Sequence, residues 1–300
     1  MARSRAAPPW FAFNPDGSIH LGGVPERILR HPGLQKRGIT PGDAVKPGVA
    51  FRSVEDRFIV KALNLETEEL QIYERLIPNL ADPANHIVPC DIERDGHPLL
   101  IMPILWDISL IIHENAPHSR VLRVLYELVE GVEYLHRSNI AHMDICYDNA
   151  MVGLPQEVAV HPELVPGRVY LIDFDSARQF HLGPGVQPAI NLPPTQADPP
   201  PEITHFDPYS WDVYCLGRLF EFIFDELWCT DQQKVPWLTR WYIRWLIGNE
   251  RGCRGVCHCR PKAKTARRVM AAIRLMWPIL SVFHTVYLKV LSLLSVPGRL

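Results

Sequence analysis

The sequence predicts an α+β protein in two lobes, a small strand-rich part followed by a larger helical part. Three observations carry this expectation. Short apolar, β-branched runs cluster at residues 49–51, 58–63 and 99–102, each bounded by charged or proline-containing breaks. Further along, Val121, Leu122, Leu125, Leu128, Val129, Val132 and Leu135 recur at helical spacing. Finally, the 28 prolines in 300 residues, about twice the usual share, call for long extended connections.

Each element has its own local reason. Residues 1–47 hold seven prolines and little apolar periodicity, and read as an extension of loop character. The strands at 49–51 and 58–63 are joined by the charged turn 53–57. Asn64 is placed to cap a helix that runs to about Ile77, with Glu66 in its first turn and Pro78 as its stop. Leu70, Tyr73 and Ile77 give that helix one apolar stripe, and Pro103 closes the strand at 99–102. Ser119 reads as the cap of the long helix that follows. Strands at 150–152 and 169–172 flank a long connection, and residues 183–201, with seven prolines, must be extended. A helix from about Tyr209 to Glu226 precedes a basic C-terminal region that also reads as helical. The boundaries expected from this are an extension at 1–47, the first lobe at 48–104, the second at 105–276, and an amphipathic C-terminal helix at 277–300.

Composition narrows the function classes. Hydrophobic residues at 47% and charged residues at 21% exclude a disordered or collagen-like chain. Seven cysteines, an odd number and most of them dispersed, do not read as a secreted disulfide framework, so a reducing, cytoplasmic setting is expected. Pro8 and Pro9 interrupt the first residues, and no apolar stretch of signal-peptide length follows them. The net charge of −2 hides an asymmetry: residues 1–233 hold 18 Lys and Arg against 32 Asp and Glu, whereas residues 234–300 hold 13 against Glu250 alone. Nothing in the basic end resembles a base-reading module, so no nucleic-acid partner is expected.

Residues 275–288 carry no formal charge but are too few to span a bilayer. Ser281, His284, Thr285, Lys289, Ser292 and Ser295 fall on one helical stripe, which predicts an amphipathic helix. Such a helix packs on the larger lobe or makes weak contact with a membrane surface through 260–300. Cys253, Cys257, His258 and Cys259 are too close in sequence to converge easily on one ion, and no metal is assigned to them.

The chemistry lies in one lysine and a set of acidic and amide residues. Lys61 falls inside a buried strand, where an ammonium is expensive without a partner. Glu69 on the next helix shares a face with Tyr73 and Leu76 and is the natural partner, with Glu66 and Glu68 as alternatives. Asp144 is followed five residues later by Asn149, and Asp173 ends a strand; oxygen ligands in this order can hold a divalent metal and phosphate.

In this order the residues resemble the protein kinases: a strand lysine, a helix glutamate, an H-x-D-x-x-x-x-N loop at 142–149 and an Asp-Phe turn at Asp173-Phe174. Asn85-His86-Ile87-Val88-Pro89, Met102-Pro103 and Ile172-Asp173-Phe174-Asp175 are similar to fungal kinase-like proteins. Pro200-Pro201-Glu202 resembles the family's A-P-E, residues 210–217 its S-x-D-V-W-S-x-G helix, and Arg260-Pro261-Lys262-Ala263 its R-P-x-A segment. The resemblance covers about residues 49–276. It implies a two-lobed protein-kinase-like fold that uses ATP and Mg²⁺ to phosphorylate Ser or Thr hydroxyls of a protein substrate. Lys61 would then hold the α- and β-phosphates, with Glu69 orienting it and Met102 beside the nucleotide pocket. Asp144 would accept or orient the substrate hydroxyl proton, and Asn149 and Asp173 would bind Mg²⁺. Glu202 would pair with Arg260, and Asp212 would brace the catalytic loop.

The sequence also departs from the pattern. No G-x-G-x-x-G precedes Lys61, and Gly38 and Gly42 are the only glycines where the phosphate-covering loop belongs. His-Met-Asp replaces His-Arg-Asp, so no arginine at Met143 can hold an activation-loop phosphate, and activation by loop phosphorylation is not expected. Cys146 stands where a lysine is usual, and Asp175 replaces the glycine after Asp-Phe. These departures keep open a binding or scaffolding module without turnover. A small-molecule kinase of the aminoglycoside/choline type shares H-x-D-x-x-x-x-N, but such proteins lack the Pro-Glu and S-x-D-V-x-x-L-G segments that this chain has.

Overall fold

The computed structural model describes residues 24–46, 49–200, 205–228, 235–249 and 260–294, with the backbone alone for 284–294. The first lobe is a five-stranded antiparallel sheet in the order β1-β2-β3-β5-β4, made of β1 (Pro41–Lys46), β2 (Ala50–Ser53), β3 (Phe58–Ala62), β4 (Asp91–Glu93) and β5 (Leu99–Pro103). Side chains alternate across a strand. Val60 and Ala62 therefore join Phe51, Leu99 and Ile101 in a small core covered by Ile28 of α1 (Glu26–Leu29) and Leu34 of α2 (Pro32–Arg37). Lys61, between Val60 and Ala62, turns to the opposite face, toward α3 (Glu69–Leu76).

Residues 24–46 thus correct the loop reading of 1–47. Two helices of four and six residues are too short to show periodicity in sequence. Pro32 opens α2, where its missing N–H costs nothing, and Gly38 closes it at φ 66°. α3 also starts later than expected. Asn64 does not cap it; its Oδ1 accepts the N–H of Glu66 at 3.0 Å in a local turn that competes with helix initiation.

The second lobe is built around α4 (His118–Arg137), whose seven expected apolar positions are all buried. Pro117, not Ser119, occupies its cap position. In front of α4 lies a three-stranded antiparallel sheet of β6 (Trp106–Asp107), β8 (Ala150–Val152) and β9 (Val169–Leu171). α5 (Pro155–Val160) joins β8 to β9, and β7 (Ile140–Ala141) pairs with β10 (Arg178–Gln179). The proline-rich stretch is not extended throughout: it turns at 184–186, where the N–H groups of Val186 and Gln187 both donate to Gly183 O at 3.2 Å, and then forms β11 (Ile190–Asn191), which pairs with β12 (His205–Phe206). Then come α6 (Pro208–Phe222), α7 (Trp237–Ile247) and α8 (Ala263–Leu294). Asp207 starts α6 by accepting the N–H groups of Tyr209 and Ser210.

α8 is one helix that runs through Pro278, with no break near 276. Its first half packs on α4: Arg267 lies 3.2 Å from Glu130 and 3.4 Å from Glu133, and Arg274 stacks over Tyr126 at 4.4 Å. Here the basic end meets the acidic remainder of the chain. Past Ile273, the side chains of Leu275, Met276, Ile279, Val282 and Phe283 are exposed. Among the described residues no helix is long and apolar enough to cross a membrane. Glu202 and the Cys253, Cys257, His258 and Cys259 cluster lie outside the described residues.

Candidate active site

The architecture brings the strand lysine, a helix carboxylate and a strand-end carboxylate to one point. Lys61 Nζ lies 2.5 Å from Glu69 Oε1 and 2.6 Å from Asp173 Oδ1. Glu69 is the lysine's partner, while Glu68 accepts the N–H of Gln179 instead. Glu69 Oε1 also accepts the N–H of Phe174 at 3.1 Å, which ties α3 to the Asp-Phe turn. Phe174 is fully buried, edge-on to Tyr73 at 5.2 Å. Burial opposes the Lys61 ammonium, yet Glu69 and Asp173 outweigh it and hold its pKa above the ordinary value. Burial likewise works against the Asp173 carboxylate, but Lys61 and Lys46 keep it well below the usual range. For Glu69 burial wins, and its pKa is raised despite Lys61.

A second cluster shapes the loop at 142–149. Asp212 of α6, wholly buried, accepts the N–H of Met143 at 2.7 Å on Oδ1 and the N–H of His142 at 2.9 Å on Oδ2. His136 Nε2 also donates to Oδ2, at 2.9 Å. From the other side Trp211 Nε1 donates to the carbonyl of Met143 at 2.9 Å. These bonds hold Met143 at φ 61°, a costly conformation for a non-glycine residue. His142 donates through Nε2 to Ile172 O at 3.0 Å and packs its ring on Phe174, so it braces the loop. Asn149 Nδ2 donates to the carbonyl of Asp144 at 2.8 Å, and Asn149 O accepts the N–H of Ile172 at 3.1 Å. Asp144 and Asp173 are thereby carried on adjoining segments. Met102 is buried in β5 opposite Ile59, just before the connection between the lobes.

A stretch of 134 residues, 43% of the chain, is 27% identical to the serine/threonine-protein kinase PRR2 of Saccharomyces cerevisiae. That match spans 17% of the yeast protein. No family model matches the chain. The similarity to a protein kinase is therefore partial, and the architecture is the two-lobed α+β arrangement that such a similarity leads one to expect.

Two contacts were not foreseen from sequence. Lys46, at the end of β1, places Nζ 3.1 Å from Asp173 Oδ2. Gln196 in the proline-rich segment donates its backbone N–H to Asp144 Oδ1 at 2.7 Å, with its Nε2 3.4 Å from Oδ2. Neither has a local signal, since each partner lies at least fifty residues away in the chain.

Cys146 lies two residues past Asp144, and its thiol is pushed up to about 12 by burial and by that carboxylate. Because only the thiolate reacts, iodoacetamide at neutral pH is expected to leave Cys146 unmodified, with labelling rising steeply above pH 10. Peptide mass mapping reads both regimes; rapid labelling at pH 7 would contradict this environment.

Proposed function

We propose that this protein is an ATP-dependent phosphotransferase acting on serine or threonine hydroxyls of a protein substrate. The observation that carries the reading is the buried Lys61–Glu69–Asp173 cluster beside Asp144 and Asn149. Phosphoryl transfer asks mainly for positioning and for neutralising charge on the transferred group. Lys61, fixed by Glu69, would hold the α- and β-phosphates of the nucleotide. Asp144 would take the hydroxyl proton as the substrate oxygen attacks the γ-phosphorus and the bond from that phosphorus to the β–γ bridging oxygen breaks, releasing ADP. Asn149 keeps Asp144 in place through its carbonyl.

Among the described residues, no group of three or more His, Cys, Asp or Glu side chains is arranged to hold a metal ion. Asp173 and the Asn149 amide fit Mg²⁺, which takes most of its ligands from water and phosphate rather than from a protein cage. When bound it would supply positive charge against the phosphate oxygens.

The thermal midpoint with and without Mg-ATP, for wild type and Asp173→Asn, tests this reading. A ligand at about 100 times its Kd adds about 2.7 kcal/mol, a rise of roughly 5 °C for a chain of this size. The rise is expected in wild type and not in the variant; no rise at millimolar Mg-ATP would overturn the reading. One observation favours a binding module without turnover. Gln196 engages both oxygens of Asp144, the group that must be free to accept a proton. Nucleotide binding with no transfer to any protein substrate would select that second reading.

A further inference from the structure

A phosphate site of this kind needs donors over the outer phosphates, and no glycine-rich turn precedes β3 to offer its backbone N–H groups. β1 ends at Lys46 and β2 begins at Ala50, and these two residues are paired across the hairpin. The hairpin instead brings an ammonium to the site. Lys46 Nζ lies 3.1 Å from Asp173 Oδ2, while Lys61 holds Oδ1 of the same carboxylate at 2.6 Å. The two lysines differ in freedom. The Lys61 side chain is 7% exposed and pinned between two carboxylates, whereas that of Lys46 is 54% exposed at the mouth of the site. Among the described residues Asp173 is the ion-pair partner of Lys46, so a polyanion arriving there competes for a single exposed ion pair, which is worth little by itself.

We propose that Lys46 is a phosphate-holding residue of the nucleotide site, supplying by side-chain charge what a glycine-rich turn supplies by backbone N–H groups. On binding of a nucleoside triphosphate its ammonium transfers from Asp173 Oδ2 to the phosphate oxygens, which frees that carboxylate oxygen for a divalent ion. This rests on the nucleotide reading above. It also assigns selectivity: Lys46 favours ligands by their phosphates and is indifferent to the nucleoside.

Calorimetric titration of the full chain with ATP and with adenosine, in Mg²⁺, tests the proposal in wild type, Lys46→Met, Lys46→Gln and Lys46→Arg. Loss of a charge-assisted contact is expected to weaken ATP about tenfold or more in the Met and Gln variants. Adenosine affinity should be unchanged, so the preference for ATP collapses, and Arg should retain most of it. ATP affinity should also depend less on salt once Lys46 is gone. Wild-type ATP affinity in Lys46→Met and Lys46→Gln would overturn the proposal alone, as would equal losses for ATP and adenosine, the mark of a structural role. A wild-type protein that binds neither ligand would overturn the nucleotide reading, and this proposal with it. The exposed position of Lys46 predicts an unliganded melting midpoint close to wild type in every variant.

Discussion

Asp212→Ala is expected to destabilise the protein by about 3–5 kcal/mol, the range for breaking a buried charged network by removing one partner. The carboxylate has no solvent exposure and serves three donors, the N–H groups of His142 and Met143 and the ring of His136. Alanine leaves two buried backbone N–H groups without acceptors, each costing about 1–3 kcal/mol. It also removes what holds Met143 at φ 61°. Asp212→Asn keeps the shape and one acceptor oxygen but turns an amide N–H₂ toward a donor, so a smaller loss is expected. Chemical denaturation of both variants reads the effect. A loss below about 1 kcal/mol for alanine would mean that Trp211 and His142 hold the loop without Asp212.

Asp144→Asn is expected to lower phosphoryl transfer by about 10²–10⁴-fold, the usual contribution of a positioned general base. The fold should be untouched, because the shorter bond of Asn149 Nδ2, at 2.8 Å, goes to the backbone carbonyl of residue 144, which the variant keeps, and only the longer one, at 3.3 Å, goes to the carboxylate. The Mg-ATP shift in midpoint should also persist, since Lys61 and Asp173 are unaltered. Stability and binding thus separate from turnover in one variant. Equal transfer by wild type and variant would remove Asp144 from the chemistry. Absence of transfer in wild type, with the nucleotide shift intact, would select the binding-module reading and give weight to the contact of Gln196 on Asp144.

The elements most legible in sequence were those written in short-range patterns. The helical spacing from Val121 to Leu135 gave α4, all seven positions being buried. The runs around Lys61 and at Leu99 gave β3 and β5 nearly to the residue. Less legible were the short helices at 26–37 and strand β1, because a segment of four to six residues shows neither a full helical stripe nor clear alternation. Helix starts were misplaced at Asn64 and Ser119, where a good capping side chain was present but the chain used a turn or a proline instead. At 276 the change from basic to apolar composition marked no change in the backbone, as α8 continues through it.

The order of groups, a lysine in a strand, carboxylates on the next helix, then Asp144, Asn149 and Asp173, is a property of the chain alone. So is the two-lobed α+β class, since strand alternation, helical period and proline breaks act between neighbours. Which carboxylate meets Lys61 is decided elsewhere. Glu66, Glu68 and Glu69 are equivalent in composition, and only the packing of α3 on the sheet and on Phe174 selects Glu69. Lys46 on Asp173 joins residues 127 positions apart, and Asp212 reaches back 70 positions to His142. Contacts of that span depend on strand register and on how α6 lies against the loop at 142–149. Those in turn follow from the burial of whole faces rather than from any residue's neighbours.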